Sequence, residues 1–124
     1  MSRKLDALFA ERVLGLEVEV RQFPRSTFLG GGTVSDYAAM DGWLPSYTSS
    51  LDAAWAGVEK RRGSELFTHH FSLSYEDTGM YRAEFIFPRD GQAFKVFDSE
   101  PALALVKACL LAVGVSQEEI DSCA

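Results

Sequence analysis

Apolar and polar residues alternate in four stretches of the chain, and this period of two predicts β-strands. The stretches are LEVEVRQF at 16–23, FTHHFSLSY at 67–75, YRAEFIF at 81–87 and AFKVF at 93–97. The turn sequences EDTG and PRDG separate the last three, which therefore predict an antiparallel meander. Along the third stretch, Tyr81, Ala83 and Phe85 face the predicted core and Arg82 faces outward.

The region before this meander is less regular. Its strand is predicted to end at Pro24 and to bury three apolar residues on one face, namely Leu16, Val18 and Val20. The glycine-rich segment TFLGGGTVSDYAAMDGW follows. One short strand is expected within it, either around Phe28 or at residues 33–37.

Apolar residues that recur at spacings of three and four predict three main helices. The first begins at a cap on Ser2, ends at Gly15, and buries Leu5, Leu8, Phe9 and Val13. The last begins near Ser99 with Pro101 in its first turn. From residue 102 to 113 it is apolar nearly all round except at Lys107, so other elements should enclose it. A short terminal helix is expected after it, capped by Ser116 with Glu119.

The second helix is the most clearly marked. Its predicted buried stripe consists of Leu51, Ala54, Trp55 and Val58. Ser49 and Asp52 resemble a capping box, and Gly63 ends the helix. Gly57 costs up to about 1 kcal/mol inside a helix, and the close approach of a neighbouring element would explain it.

These elements predict an α+β fold. The expected architecture is an antiparallel sheet of about three to five strands layered with about three helices, as an α/β/α-type sandwich. The 124 residues fit a single domain that covers residues 1–124.

Composition and charge exclude several classes of partner and of cellular location. The net charge of −6 argues against direct nucleic-acid binding and against docking on an anionic membrane. Two cysteines are too few for a disulfide framework. The N-terminus is too charged for a signal peptide, and the longest apolar run is too short to span a bilayer. The chain is therefore expected in the cytoplasm of the cell that makes it.

No catalytic or metal-binding motif stands out, so we expect neither an enzyme nor a cofactor. His69 and His70 are adjacent on a predicted strand and point to opposite faces, which disfavours a shared metal ion. Neither cysteine has a basic neighbour in the sequence. The loop carboxylates of Asp36, Asp41, Glu76 and Asp77 are expected to be solvated.

The candidate binding residues are aromatics, glycines and arginines. Tyr37, Trp43 and Tyr47 fall in irregular segments, where they either form a binding surface or fold back as a lid over the apolar helix. The lid is the favoured interpretation for Trp43. Gly30, Gly31 and Gly32 favour a hairpin loop over a phosphate cradle, because no lysine or helix start follows them. Arg82 and Arg89 could contact phosphate.

Four blocks of this sequence resemble the phage ABA sandwich domain, a family of small phage and prophage proteins. The blocks are LDALFAERVLGLE, WLPSYTSSLDAAWAGVEK, YRAEFI and ALALVKACLLAVGV. Members often carry aspartate just before the apolar residue that opens the second helix, where this chain has Ser50. The resemblance implies a layered α and β fold and a viral or prophage source, but it implies no activity.

Three functional hypotheses follow. The first is a phage accessory protein that binds a host protein in the cytoplasm of the infected bacterium, for example to inhibit a defence system. The second is a small-molecule binder that sequesters a signalling nucleotide through the arginines, glycines and aromatics. The third is a structural or oligomeric phage protein without enzymatic activity, and a homodimer is one form that it could take.

Overall fold

The computed structural model describes residues 3–40, 42–62, 70–86 and 93–123. The predictions that involve Ser2, Asp41, Gly63, His69, Arg89 and the PRDG turn lie outside these residues. The described helices are α1 (Arg3–Arg12), α2 (Leu51–Arg62), α3 (Pro101–Ala112) and α4 (Gln117–Cys123). The described strands are β1 (Glu19–Pro24), β2 (Thr33–Ala39), β3 (Gly42–Trp43), β4 (His70–Tyr75), β5 (Tyr81–Ile86) and β6 (Ala93–Asp98).

The strands form two antiparallel sheets of three strands each. We call β1–β2–β3 the hairpin sheet and β4–β5–β6 the core sheet. With four α-helices in the described residues, this arrangement confirms the α+β class and is compatible with a sandwich. The strands of the predicted sheet are thus divided between two sheets.

The core sheet and α3 form the centre of the molecule. Helix α3 packs against β5 and β6 and also contacts α1, α2 and α4. Seven of its twelve residues are buried, as expected for a helix that is apolar nearly all round. Ala83 and Phe85 of β5 are fully buried, which confirms the predicted inward face of that strand. In the EDTG turn, Gly79 has a φ of 83° and its N–H donates to Glu76 O over 3.0 Å.

Helix α2 approaches this centre at Gly57. A Cβ atom at this position would lie 2.6 Å from Cζ of Phe9 and 3.0 Å from Sγ of Cys109. The close approach expected from the sequence is therefore confirmed, and it involves α1 and α3 together.

Three predictions about α2 are wrong. Leu51 belongs to the predicted buried stripe, but 38% of it is exposed. Ser50 caps the helix instead of Ser49, because its Oγ accepts a hydrogen bond of 3.3 Å from the N–H of Ala53. Trp55 is also not buried: 38% of it is exposed, and it lies edge-on to Phe71 of β4. The indole Nε1–H donates to Glu59 on the surface, which explains why this large side chain stays near solvent.

The hairpin sheet also departs from prediction. The strand at residues 33–37 is confirmed as part of β2, whereas Phe28 lies in a 3-10 turn at Thr27–Leu29. The buried face predicted for the first strand is wrong at two of its three positions, because Leu16 is 41% exposed and Val20 is 61% exposed. Val18, the third, is partly buried against the core. Alternation alone does not show that any element covers a strand, and most of β1 is open to solvent.

Candidate binding surface

Exposed apolar side chains concentrate on the hairpin sheet and its connections. Phe28 is 96% exposed, Met40 is 91% exposed and Trp43 is 60% exposed. Leu16, Val20 and Val34 are also exposed in this region. Because exposed apolar side chains that are concentrated in one region often mark interaction sites, the hairpin sheet with its connections is the candidate binding surface.

The three glycines build the turn that presents Phe28. The φ values of the backbone are 96° at Gly30, 69° at Gly31 and 77° at Gly32. Residues with a Cβ atom rarely adopt such values. The N–H of Gly30 donates to Thr27 O over 3.1 Å, and the N–H of Gly31 donates to Ser26 O over 3.0 Å. Both N–H groups donate to carbonyl oxygens within the turn rather than to a phosphate. This supports the interpretation of the glycine segment as a hairpin loop.

The three candidate aromatic residues have different environments. Trp43 packs against Phe23 of β1, with ring centroids 4.7 Å apart, and the prediction that it forms a lid over the apolar helix is wrong. Tyr37 is half-buried in β2. Tyr47 is only 4% exposed and packs against Phe9 at 4.8 Å, so its membership of an exposed binding surface is a wrong prediction.

A charged network that the sequence did not predict connects α1 to the hairpin sheet. Arg3 on α1 donates through Nη1 to Asp6 over 2.9 Å and through Nε to Asp36 of β2 over 3.1 Å. Asp6 is completely buried and accepts a hydrogen bond of 2.8 Å from the N–H of Thr48. The third guanidinium nitrogen of Arg3, Nη2, donates to Leu44 O over 3.0 Å. The network thus fixes the base of the hairpin sheet to α1.

This network affects two pKa values. Burial alone would lower the pKa of the Arg3 guanidinium, but hydrogen bonding and attraction from Asp36 and Asp6 raise it above the ordinary value. Burial raises the pKa of the Tyr47 phenol, the charge of Asp6 raises it further, and Arg3 acts in the opposite direction. Arg3 therefore remains charged, and Tyr47 stays neutral at neutral pH.

Arg82 belongs to the other sheet. It lies on β5, and its Nε is 3.1 Å from Oε1 of Glu76, close enough for an ion pair but not aligned for a hydrogen bond. The hydroxyl of Ser74, its cross-strand neighbour, is buried without a hydrogen-bond partner in the described structure. The predicted binding residues are thus divided: Tyr37, Trp43 and the glycines lie on the hairpin region, and Arg82 lies on the core sheet.

A groove lies between the end of α1 and the hairpin sheet, and we call it the α1–β1 groove. Its volume is about 800 Å³. A second depression of about 420 Å³ shares Glu11, Val18 and Glu19 with it and also reaches Tyr37. The main groove is lined by Glu11, Gly15, Leu16, Glu17, Val18, Glu19, Arg21, Ala39 and Met40.

The sequence predicts structural roles for three of the groove residues: Gly15 as the end of the first helix, and Leu16 and Val18 as buried residues of the first strand. Glu11 lies on α1 and Glu17 lies in the connection between α1 and β1, and both line the groove. Met40 carried one available signal, since it is a large apolar residue directly before the turn-favouring sequence Asp-Gly.

The described residues contain no cluster of three or more histidine, cysteine, aspartate or glutamate side chains that could hold a metal ion. None of their helices combines the length and the apolar character needed to cross a bilayer. The expectations of no metal, no cofactor and no catalysis stay predictions.

Comparison with solved structures informs the fold. The chain is similar to a phage protein from Bacillus cereus ATCC 14579, whose crystal structure is known at 2.0 Å. The TM-score is 0.59, the sequence identity is 21%, and the match covers 89% of each chain. No protein-family model matches the chain, and no curated protein gives a significant match. The likeness shows a shared fold, and membership of the ABA sandwich family stays a prediction.

Proposed function

We propose that this chain is a phage accessory protein that acts by binding a host protein rather than by catalysis. The observation that carries the proposal is the exposure of Trp43 on the hairpin sheet and of Phe28 and Met40 in its connections. Aromatic and methionine side chains contribute strongly to protein interfaces when they become buried. The fold shared with a phage protein supports the phage setting. Inhibition of a host defence protein is the form of this function that we favour.

The shape of the hairpin sheet supports binding to a protein. The turn at Gly30–Gly32 is held by its own hydrogen bonds, so Phe28 is presented on a defined structure. Pre-ordering lowers the entropic cost of burying such a side chain in a partner.

Affinity capture from bacterial lysate tests the proposal. The tagged wild-type chain should retain a defined host protein, and the double variant Phe28→Ser with Trp43→Ser should lose it. The matched control is Tyr75→Ser with Phe97→Ser, which removes two exposed aromatics from the core sheet. Retention by the control and loss by the hairpin variant are the expected result. Equal retention by all three proteins, or no specific capture, would contradict the proposal.

The two alternatives from the sequence remain open to experiment. Nucleotide binding through Arg82 and the glycine turn receives no support from their placement, since the two lie on different sheets. Thermal-shift measurements with linear and cyclic nucleotides test it directly, because a tight ligand raises the melting temperature. A structural or oligomeric role would be indicated by stable self-association of the purified chain.

A further inference from the structure

The α1–β1 groove combines an apolar lining with an acidic edge. Leu16, Val18, Ala39 and Met40 supply the apolar lining. Met40 is the most exposed of them, and methionine adapts its shape to different partners. A volume of about 800 Å³ can accept several side chains of a docked segment.

The acidic edge has a net negative charge. Glu19 forms an ion pair with Arg21, so these two charges compensate each other within the groove. Glu11 and Glu17 have no ion-pair partner among the described residues. Arg12, next to Glu11 on α1, is paired with Glu119 of α4 over 3.3 Å. Two carboxylates therefore remain to attract cations at this site.

The end of α1 strengthens this negative potential. Glu11 lies in the last turn of the helix, where the backbone dipole places partial negative charge. A carboxylate at that position is unfavourable for the isolated helix and is stabilised by an external cation. The groove thus combines two carboxylates and a helix C-terminus beside apolar surface.

We propose that the α1–β1 groove binds a basic amphipathic segment of the protein partner. The inference rests on the proposed function and names the chemistry of the segment that the partner contributes. An apolar side chain of the segment packs on Leu16 and Met40, and flanking lysine or arginine side chains approach Glu11 and Glu17. A charged or polar edge around an apolar centre is the usual arrangement of protein interfaces.

Other occupants fit the groove less well. A purely apolar segment would remove water from Glu11 and Glu17 without replacing it by a cation, which is costly. An acidic segment would be repelled by both carboxylates. The hairpin of a second copy carries Arg21, Arg25 and Phe28 and is the competing occupant that the experiment must separate.

Binding of a defined peptide tests the inference without a lysate. The probe is a fluorescent amphipathic helical peptide of leucine and lysine, and its matched control has glutamate at each lysine position. The lysine peptide should bind the full chain, with an affinity that falls as salt rises, and the glutamate peptide should not bind. The double variant Glu11→Gln with Glu17→Gln should weaken binding roughly fivefold to tenfold.

Two variants make this result specific to the groove. Met40→Ser should weaken binding because it removes apolar contact at an exposed position without disturbing the core. Asp77→Asn with Glu118→Gln removes the same charge from exposed sites elsewhere and should bind as the wild type does. Equal binding by the groove variants and this control would overturn the inference, as would binding of the glutamate peptide or failure of the lysine peptide to bind.

Self-association is measured on the same proteins. A concentration-dependent dimer in sedimentation experiments that Met40→Ser dissociates would assign the groove to a second copy and overturn the inference. Failure of the proposed host-protein function can be distinguished from failure of this inference. The former is measured by host-protein capture with the Phe28 and Trp43 variant, and the latter by peptide binding to the groove variants. Capture that depends on the hairpin but not on Glu11 and Glu17 would leave the proposed function standing alone.

Discussion

The contact between Gly57 and Phe9 limits which residues α2 can carry. Phe9 is fully buried and packs against the tilted ring of Tyr47, so its ring has little freedom to move away from α2. A glycine that weakens a helix by about 1 kcal/mol is thus retained at a position where a methyl group would overlap an aromatic ring.

Gly57→Ala tests this packing. The alanine gains up to about 1 kcal/mol of helix propensity but forces a displacement of Phe9, and overpacking of this kind costs about 1–3 kcal/mol. We expect a net loss of about 1 kcal/mol or more in the free energy of unfolding, measured by urea denaturation. In a double-mutant cycle, Phe9→Leu should reduce the loss. A stabilised Gly57→Ala protein would show that the helices are not in close contact.

Because Tyr47 is buried, the free energy of unfolding is expected to fall at alkaline pH. Burial raises the pKa of the folded-state phenol above that of the unfolded chain, which is about 10. The unfolded state therefore loses its proton first as pH rises. The contribution of this group to stability is complete below about pH 10 and is lost as pH rises through the folded pKa, at up to about 1.4 kcal/mol per pH unit.

Tyr47→Phe removes this dependence. Urea denaturation at about pH 9 and about pH 11 should show a larger loss of unfolding free energy for the wild type than for the variant. Tyr75→Phe is the matched control because Tyr75 is exposed, and it should follow the wild type. The same pH dependence in the wild type and in Tyr47→Phe would contradict the expected role of burial.

Among the helices and strands, the buried face could be predicted from the sequence where another element packs on one side. Residues 81–86 alternate, and β5 buries Ala83 and Phe85 because α3 packs on that side. The same alternation misled us in β1, because Val20 is exposed. A sequence pattern reports which face could be buried, and another element must be present to bury it.

Short-range chemistry predicted the cap of α2 to within a residue, whereas α1 ends at Arg12, three residues before the predicted stop at Gly15. Both Ser49 and Ser50 are suitable caps, and the choice depends on which hydroxyl lies within reach of the N–H groups in the first turn. The structure places Ser50 Oγ 3.3 Å from the N–H of Ala53. Aspartate is also a good cap, so an aspartate at position 50 could fill the same structural role as the serine.

Substitutions at the start of α2 test the cap. Ser50→Ala should cost about 1 kcal/mol of unfolding free energy, because the N–H of Ala53 loses its acceptor. Ser50→Asp should retain the wild-type stability or increase it, since a carboxylate near a helix N-terminus is favourable. Ser49→Ala is the control and should change stability by less than about 0.5 kcal/mol. A Ser49→Ala loss as large as that of Ser50→Ala would assign the cap to Ser49.

At the scale of the whole molecule, the candidate site was the least predictable part. Arg3, Asp6 and Asp36 are charged residues that any composition-based argument places on the surface, yet Asp6 is fully buried. Their association depends on contacts over more than thirty positions in the sequence, such as Arg3 with Asp36. The α1–β1 groove arises in the same way, from elements whose sequences carry no shared motif.

The packing of the two sheets predicts that they differ in local stability. The core sheet is packed on α3, whereas the hairpin sheet exposes Val20, Val34 and Trp43 and is fixed at its base by Arg3. Regions with few buried apolar contacts open at lower free energy than the core. Hydrogen-exchange mass spectrometry should therefore find faster amide exchange in β1 and β2 than in β5 and α3.

The anchor of the hairpin sheet permits a selective test of this division. Asp36→Asn weakens the link to Arg3 but leaves the buried partner Asp6 in place. It should speed exchange in β1 and β2 while changing protection in β5 and α3 little. Glu84→Gln is the matched control, because it weakens an ion pair with Lys95 within the core sheet. A single exchange rate across both sheets, or equal effects of the two variants on the hairpin sheet, would show that the chain opens as one cooperative unit.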